Sequence, residues 1–165
     1  MKSNNVIFLD IDGVVNTLMI DTIPFKNNDI SHNGFYYDLC MPDDLRVSNR
    51  QAIMWINRLC KETHADIVIS STWRLHGLEN IKSSLRNSGL LKEINIIGMT
   101  PIIDNYHIRG DEIRLYLCEH KEIDNFIIID DDSDMGEYTD RLVKTNTYVG
   151  FTYNDYVRAL HLLNN

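Results

Sequence analysis

The sequence predicts a three-layer α/β fold with a mainly parallel central sheet. Two observations carry this prediction. Continuous apolar runs, Val6-Ile7-Phe8-Leu9, Ile67-Val68-Ile69 and Phe126-Ile127-Ile128-Ile129, each lead straight into polar residues. Such runs suit strands buried on both faces. Between them lie stretches whose apolar residues recur at helical spacing, so strands and helices alternate through most of the chain. At 165 residues the chain is read as one domain, 1–165, large enough for a sizeable core.

The first strand is Val6 to Leu9, and it runs into Asp10-Ile11-Asp12-Gly13. Residues two apart on a strand face the same side, so an extended backbone to Asp12 points Asp10 and Asp12 the same way. They lie at the carboxyl end of the strand, where open α/β sheets bind ligands. Gly13 permits a tight turn and leaves nearby N–H groups accessible to an anion. Two carboxylates beside such a turn suit a divalent cation and a phosphate together. The bland reading is a capped turn after a core strand.

Residues 17–45 hold Pro24, Asn27-Asn28-Asp29, His32-Asn33-Gly34 and Pro42, with Phe25, Phe35, Tyr36 and Tyr37 between them. The turn signals predict an irregular segment and the aromatics an ordered one. Val47 to Glu62 is predicted as a helix with Ser48 as N-cap; Ala52, Ile53, Ile56, Leu59 and Cys60 form its buried stripe. Ala65 to Thr72 reads as a second buried strand ending in the hydroxyls of Ser70, Ser71 and Thr72. Alone, such a hydroxyl run is a cap or turn. Trp73-Arg74 follows: Arg can bind phosphate bidentately, and Trp can stack on a base or pack at the rim. Leu78, Ile81 and Leu85 mark a helix closed by Ser88-Gly89, and Ile94 to Ile97 a short strand.

A connector from Thr100-Pro101 ends at Tyr106-His107-Ile108-Arg109-Gly110, and Asp111-Glu112 then opens a helix with Ile113, Tyr116, Leu117 and His120 on one face. The run Phe126 to Ile129 meets Asp130-Asp131-Asp132-Ser133-Asp134. Like charges brought together under cover need a cation or a basic group to offset them, which makes a metal site the natural reading. Leu142 to Val149 is predicted as the last strand. The last helix carries Tyr156, Leu160 and Leu163 on its core face, with Thr152 or Asn154 as cap.

Composition narrows the classes. Sixteen basic against 24 acidic residues give a net charge of −8, which argues against broad nonspecific binding to nucleic acid or to an anionic membrane. Cys40, Cys60 and Cys118 show neither disulfide nor zinc spacing, so no disulfide-linked partner is expected; Cys60 and Cys118 are read as small core residues. The N-terminus lacks a signal-peptide pattern and no apolar run is long enough for a membrane span. A soluble cytoplasmic protein without a membrane partner is expected.

Phe8-Leu9-Asp10-Ile11-Asp12-Gly13-Val14-Val15-Asn16 resembles the first motif of the haloacid dehalogenase (HAD) superfamily of phosphatases. The later signals follow in that family's order. The resemblance implies that Ser70, with Ser71 beside it, is the phosphate-binding hydroxyl of the second motif. It implies that Arg109 is the basic residue of the third motif. It implies that Asp130 is the metal ligand of the fourth, supported by Asp131 or Asp134. It further implies a Rossmann-like HAD fold in which residues 17–45 form a small flap or mini-cap over the site. Trp73-Arg74, Arg109-Gly110-Asp111-Glu112-Ile113, Ile129 to Met135, Leu142 to Asn146 and Gly150-Phe151-Thr152 resemble more narrowly the HAD domains of "Swiss Army knife" RNA-repair proteins.

The resemblance implies a Mg²⁺-dependent phosphomonoester hydrolase. Asp10 would be the nucleophile and form an aspartyl-phosphate, with Asp12 as general acid and base. Mg²⁺ would be held by the Asp10 carboxylate, the Asp12 carbonyl and Asp130, with Asp131 and Asp134 orienting its waters. Ser70, Arg109 and the N–H groups from Ile11 to Gly13 would bind the phosphate oxygens; Ser71, Trp73 and Arg74 are candidates for substrate contact. The substrate implied is a terminal phosphate of RNA or DNA, or a nucleotide. A small-metabolite phosphatase and a non-catalytic phosphate-binding module are the alternatives, the second opposed by the Asp10/Asp12 pair.

Overall fold

The computed structural model describes residues 4–17, 49–103 and 107–164. Five strands form one all-parallel sheet: β1 Asn5–Leu9, β2 Asp66–Ile69, β3 Ile96–Met99, β4 Asn125–Asp130 and β5 Leu142–Lys144. Their spatial order is β3-β2-β1-β4-β5. The chain therefore builds outward from β1 on one side and returns to its other side. That reversal creates a crevice at the carboxyl ends of β1 and β4.

The apolar runs are continuous because both faces of the sheet are covered. Ile7, Leu9, Ile67, Ile69, Ile127 and Ile129 join a core shared with helices α1 Arg50–Thr63, α2 Leu78–Asn87 and α4 Tyr153–Asn164. Val6, Phe8, Val68 and Ile128 join a second core with Ile113 and Tyr116 of α3 Arg109–Glu119, and with Met135. Three layers result, as the alternation of elements predicts. Phe8 is fully buried and meets Tyr116 and Phe126 edge to face, with ring centroids 5.7 and 5.6 Å apart. Phe8→Leu removes both ring contacts and is expected to cost about 1–3 kcal/mol, read as a lower urea midpoint at unchanged slope.

Several boundaries differ from the sequence expectations. Asn49 caps α1, accepting from the Ala52 N–H at 2.9 Å; Ser48 lies outside the described residues, as do Cys40 and the expected flap or mini-cap apart from Thr17. β3 starts two residues late, because Ile94 and Leu91 close a turn held by the Arg86 guanidinium. β5 has three residues rather than eight. Beyond Lys144, Asn146 accepts from the N–H groups of Tyr148, Val149 and Gly150 and folds the chain into a turn. Gly150 sits there at φ +76°, and an added Cβ would lie 2.4 Å from the Val14 carbonyl oxygen. Thr152 caps α4 reciprocally with Asp155, whose carboxylate accepts from the Thr152 N–H and hydroxyl at 2.8 and 2.7 Å.

Of the two cysteines read as core, only Cys60 is buried. Burial pushes its thiol up to about 12, which makes it inert. Cys118 is exposed because α3 turns Ile113 and Tyr116 inward and leaves position 118 on its outer side. Among the described residues no helix is long and apolar enough to cross a membrane.

Candidate active site

The backbone ladder continues one residue past the strands. The Asp10 N–H donates to the Ile129 carbonyl, Ser70 to Leu9, and Thr100 to Ile69, each at 2.9–3.0 Å. Asp130 pairs with Lys144 in register. Side-chain alternation then sets Thr100, Ser70, Asp10, Asp130 and Lys144 in one row, one residue per strand, on the face covered by α3. The sheet thus gathers residues that the sequence separates by more than a hundred positions.

Asp10 is 5 % exposed and Asp130 1 %. Oxygens of Asp10, Asp130 and Asp131 lie within 4.8 Å of one another. Burial, and then the charge of Asp130, pushes Asp10 up to about 7. Burial likewise pushes Asp130 up to about 6, opposed by the Asp132 N–H and by Arg109. Arg109, from the first turn of α3, lies between the two carboxylates: Nη2 is 3.8 Å from Asp10 Oδ1 and Nε 3.5 Å from Asp130 Oδ2. One guanidinium does not neutralise three clustered acids. Asp130 Oδ2 is buried and has no hydrogen-bond partner among the described residues. A buried carboxylate oxygen that meets Arg109 only as an ion pair, without a hydrogen bond, in an all-oxygen cluster fits a hard divalent cation such as Mg²⁺.

Ser70 and Ser71 are both fully buried. The Ser71 hydroxyl and the Ile11 N–H beside the Asp10 carboxyl oppose the upward shift of its pKa. Ser70 Oγ has no partner among the described residues, so a second polar atom of the row awaits one. Asp12 is exposed, with each carboxylate oxygen engaged: Asn16 Nδ2 donates to one at 2.7 Å and Trp73 Nε1 to the other at 2.9 Å. Asp10 and Asp12 therefore have different surroundings, one buried among acids and one at the open edge.

Four expected roles look different in three dimensions. The Gly13 N–H donates to Asn16 O at 2.7 Å, so it is not turned toward an anion. Gly13 instead makes room: at φ +71°, an added Cβ would lie 2.3 Å from Asp131 Oδ2. Arg74 is already engaged by the protein itself. It is 6 % exposed, and its guanidinium donates to the carbonyls of Ser71, Thr100 and Pro101, to the Thr100 hydroxyl, and to Glu112. Trp73 is half-buried and holds Asp12 through its ring N–H. Asp134 accepts from the Arg109 N–H at 2.9 Å through Oδ2, and its carbonyl accepts from Gly110, so it caps α3 and fixes the start of the helix that bears Arg109.

Sequence reasoning passed over Asn16, Thr147, Glu112 and Lys144. Thr147 Oγ1 donates to Asp131 Oδ2 at 2.5 Å and orients that carboxylate over Gly13. Lys144 adds an exposed cation at the end of the row. Asn16 and Glu112 fall inside motifs visible in the sequence, but nothing in their spacing assigns them a partner.

A family model described as the HAD domain in Swiss Army Knife RNA repair proteins matches residues 6–156. The chain belongs to that family. No curated protein and no solved structure matches it. The five-stranded parallel sheet with helices on both faces is the Rossmann-like HAD fold, and the family is one of phosphatase-type hydrolases. In this HAD domain the acid cluster, the Ser70 hydroxyl without a hydrogen-bond partner among the described residues, and Arg109 converge on the carboxyl end of β1.

Proposed function

We propose that this HAD domain is a Mg²⁺-dependent phosphomonoester hydrolase that removes terminal phosphates from nucleic acid. The observation that carries the reading is the site around Asp10: a buried carboxylate clustered with Asp130 and Asp131, faced by Arg109, with Asp12 held separately at the open edge. A phosphoryl-transfer site needs a nucleophile, charge compensation and an independent proton donor, and these groups supply all three.

In this mechanism the Asp10 carboxylate attacks phosphorus. An oxygen–phosphorus bond forms as the bond to the leaving oxygen breaks, and Asp12 delivers a proton to that oxygen. Water then attacks the aspartyl-phosphate, gives its proton to Asp12, and releases phosphate and free Asp10. Arg109, the Ser70 hydroxyl and the Ile11 N–H receive the phosphate oxygens. Asp10, Asp130 and the Asp12 carbonyl would hold Mg²⁺, with Asp131 supporting its waters. When bound, the cation offsets the clustered negative charge and favours the ionised form of Asp10.

A nucleic-acid end is favoured by the family's description as a domain of RNA repair proteins. The net charge of −8 leaves affinity to local contacts rather than to a basic surface. The test is Mg²⁺-dependent phosphate release from 3′- and 5′-phosphorylated RNA and DNA oligonucleotides beside a generic aryl phosphate. Release from one oligonucleotide end, well above the aryl phosphate in kcat/KM, is the expected result. Release from the aryl phosphate alone would keep the phosphatase and redirect the substrate search to small metabolites.

A further inference from the structure

Arg109 is the one cation that reaches both buried acids among the described residues, and its own support is unusual. Its backbone is held by Asp134. Its side chain is 15 % exposed and has a third acidic neighbour, Glu112, one turn along α3, with Nη1 3.9 Å from Oε2. The same Glu112 oxygen lies 2.9 Å from Nη2 of Arg74. Arg74 in turn is fixed by acceptors on two connectors, Ser71 after β2 and Thr100 and Pro101 after β3. A chain of contacts therefore runs from the ends of β2 and β3 through Arg74 and Glu112 to Arg109, and from Arg109 to Asp10 and Asp130.

The charges explain why Glu112 is needed. Two guanidinium groups packed on the same side of a site repel, and a buried Arg without an anion is costly. A carboxylate between them offsets both. Its position also decides where Arg109 can aim. With Glu112 held by Arg74, the Arg109 fork is kept from collapsing onto the acids and stays spread between Asp10 and Asp130. Outer contacts of this kind orient the group that meets the ligand.

We propose that Glu112, anchored by buried Arg74, is a positioning residue that sets the Arg109 guanidinium for the phosphate. The proposal rests on the reading of Arg109 as a phosphate-binding group. Neither Glu112 nor Arg74 touches substrate in this arrangement.

The experiment measures the affinity of inorganic phosphate, with Mg²⁺ present, by titration calorimetry on the full chain. Wild type is compared with Arg109→Ala, Glu112→Gln and the double variant, with thermal melting as the control for folding. Glu112→Gln is expected to weaken phosphate binding on the order of tenfold. The double variant is expected to bind no more weakly than Arg109→Ala alone, because Glu112 acts only through Arg109. Wild-type affinity in Glu112→Gln, or a loss that adds in full to that of Arg109→Ala, overturns the proposal while leaving Arg109 in its role. Unchanged affinity in Arg109→Ala, or no binding by wild type, removes the phosphate-site reading and the positioning role with it. If Glu112→Gln fails to fold, Arg74→Gln combined with Glu112→Gln leaves no buried charge unpaired and carries the same comparison.

Discussion

Asp10→Asn is expected to lower phosphate release on the order of 10³-fold or more while retaining the fold. The amide has nearly the shape of the carboxylate but cannot supply the anionic oxygen that attacks phosphorus. The same substitution has a stability signature. Burial and the neighbouring Asp130 raise the Asp10 carboxyl to about 7 in the folded protein, against about 3.9 in an unfolded chain. The folded state then holds its proton over a range where the unfolded state has lost it. The contribution of this carboxyl to stability is full below about pH 4 and is lost as the pH rises through about 7. Asp130, raised to about 6, adds a drop of the same sign. Metal-free wild type is therefore expected to melt at falling temperatures between pH 4 and 7.5, and Asp10→Asn to fall less steeply. Mg²⁺ should lessen the drop in wild type by binding the ionised cluster. Wild-type turnover in Asp10→Asn sinks the nucleophile. Parallel pH profiles of melting for the two proteins sink the account of the buried acids.

The second large effect is expected from a single methyl group. Gly110→Ala puts a Cβ 2.2 Å from the Met135 carbonyl oxygen and 2.5 Å from its carbon, both backbone atoms that no rotamer change can move aside. The first turn of α3 must back away from the loop after β4, and the hydrogen bonds from Arg109 and Gly110 to Asp134 must stretch. A stability loss of about 3 kcal/mol is expected, at the upper end for overpacking. Activity is expected to fall on the order of 10²-fold, because a shift near 1 Å in Arg109 misplaces the charge that meets the phosphate. Urea unfolding reads the first effect and aryl phosphate turnover the second. Wild-type values in both would mean that α3 tolerates displacement and that its start does not position the site.

The legible part of this molecule is the part governed by short-range patterns. Val6 to Leu9 and Phe126 to Ile129 are apolar at every position, which only a strand covered on both faces accommodates, and the acids that follow must emerge at its end. Arg109 is singled out only by the resemblance to the third HAD motif, since a lone basic residue at a helix start carries no pattern of its own. Strand length at the edge was less legible. β5 reads as a longer run of strand-forming residues, yet Asn146 and Gly150 fold it back, and the close approach of Gly150 to Val14 is visible only once β1 is beside it.

What the sequence determined by itself is the order of elements, the two acidic strand ends and the chemistry those residue types suit. Apolar periodicity and charge clustering are local properties and need no partner to be read. Which polar atoms are already engaged depends on contacts between distant segments. Arg74 stands beside Trp73 in the sequence and looks equally ready for substrate, but acceptors from Thr100, Pro101 and Glu112 surround it, and burial makes those contacts binding. Gly13 looks like an anion-binding turn, but its N–H is held by Asn16 and its missing side chain makes room for Asp131. Hydrogen-bond partners contributed by distant segments carry no periodic signature. Only the folded chain brings them within reach.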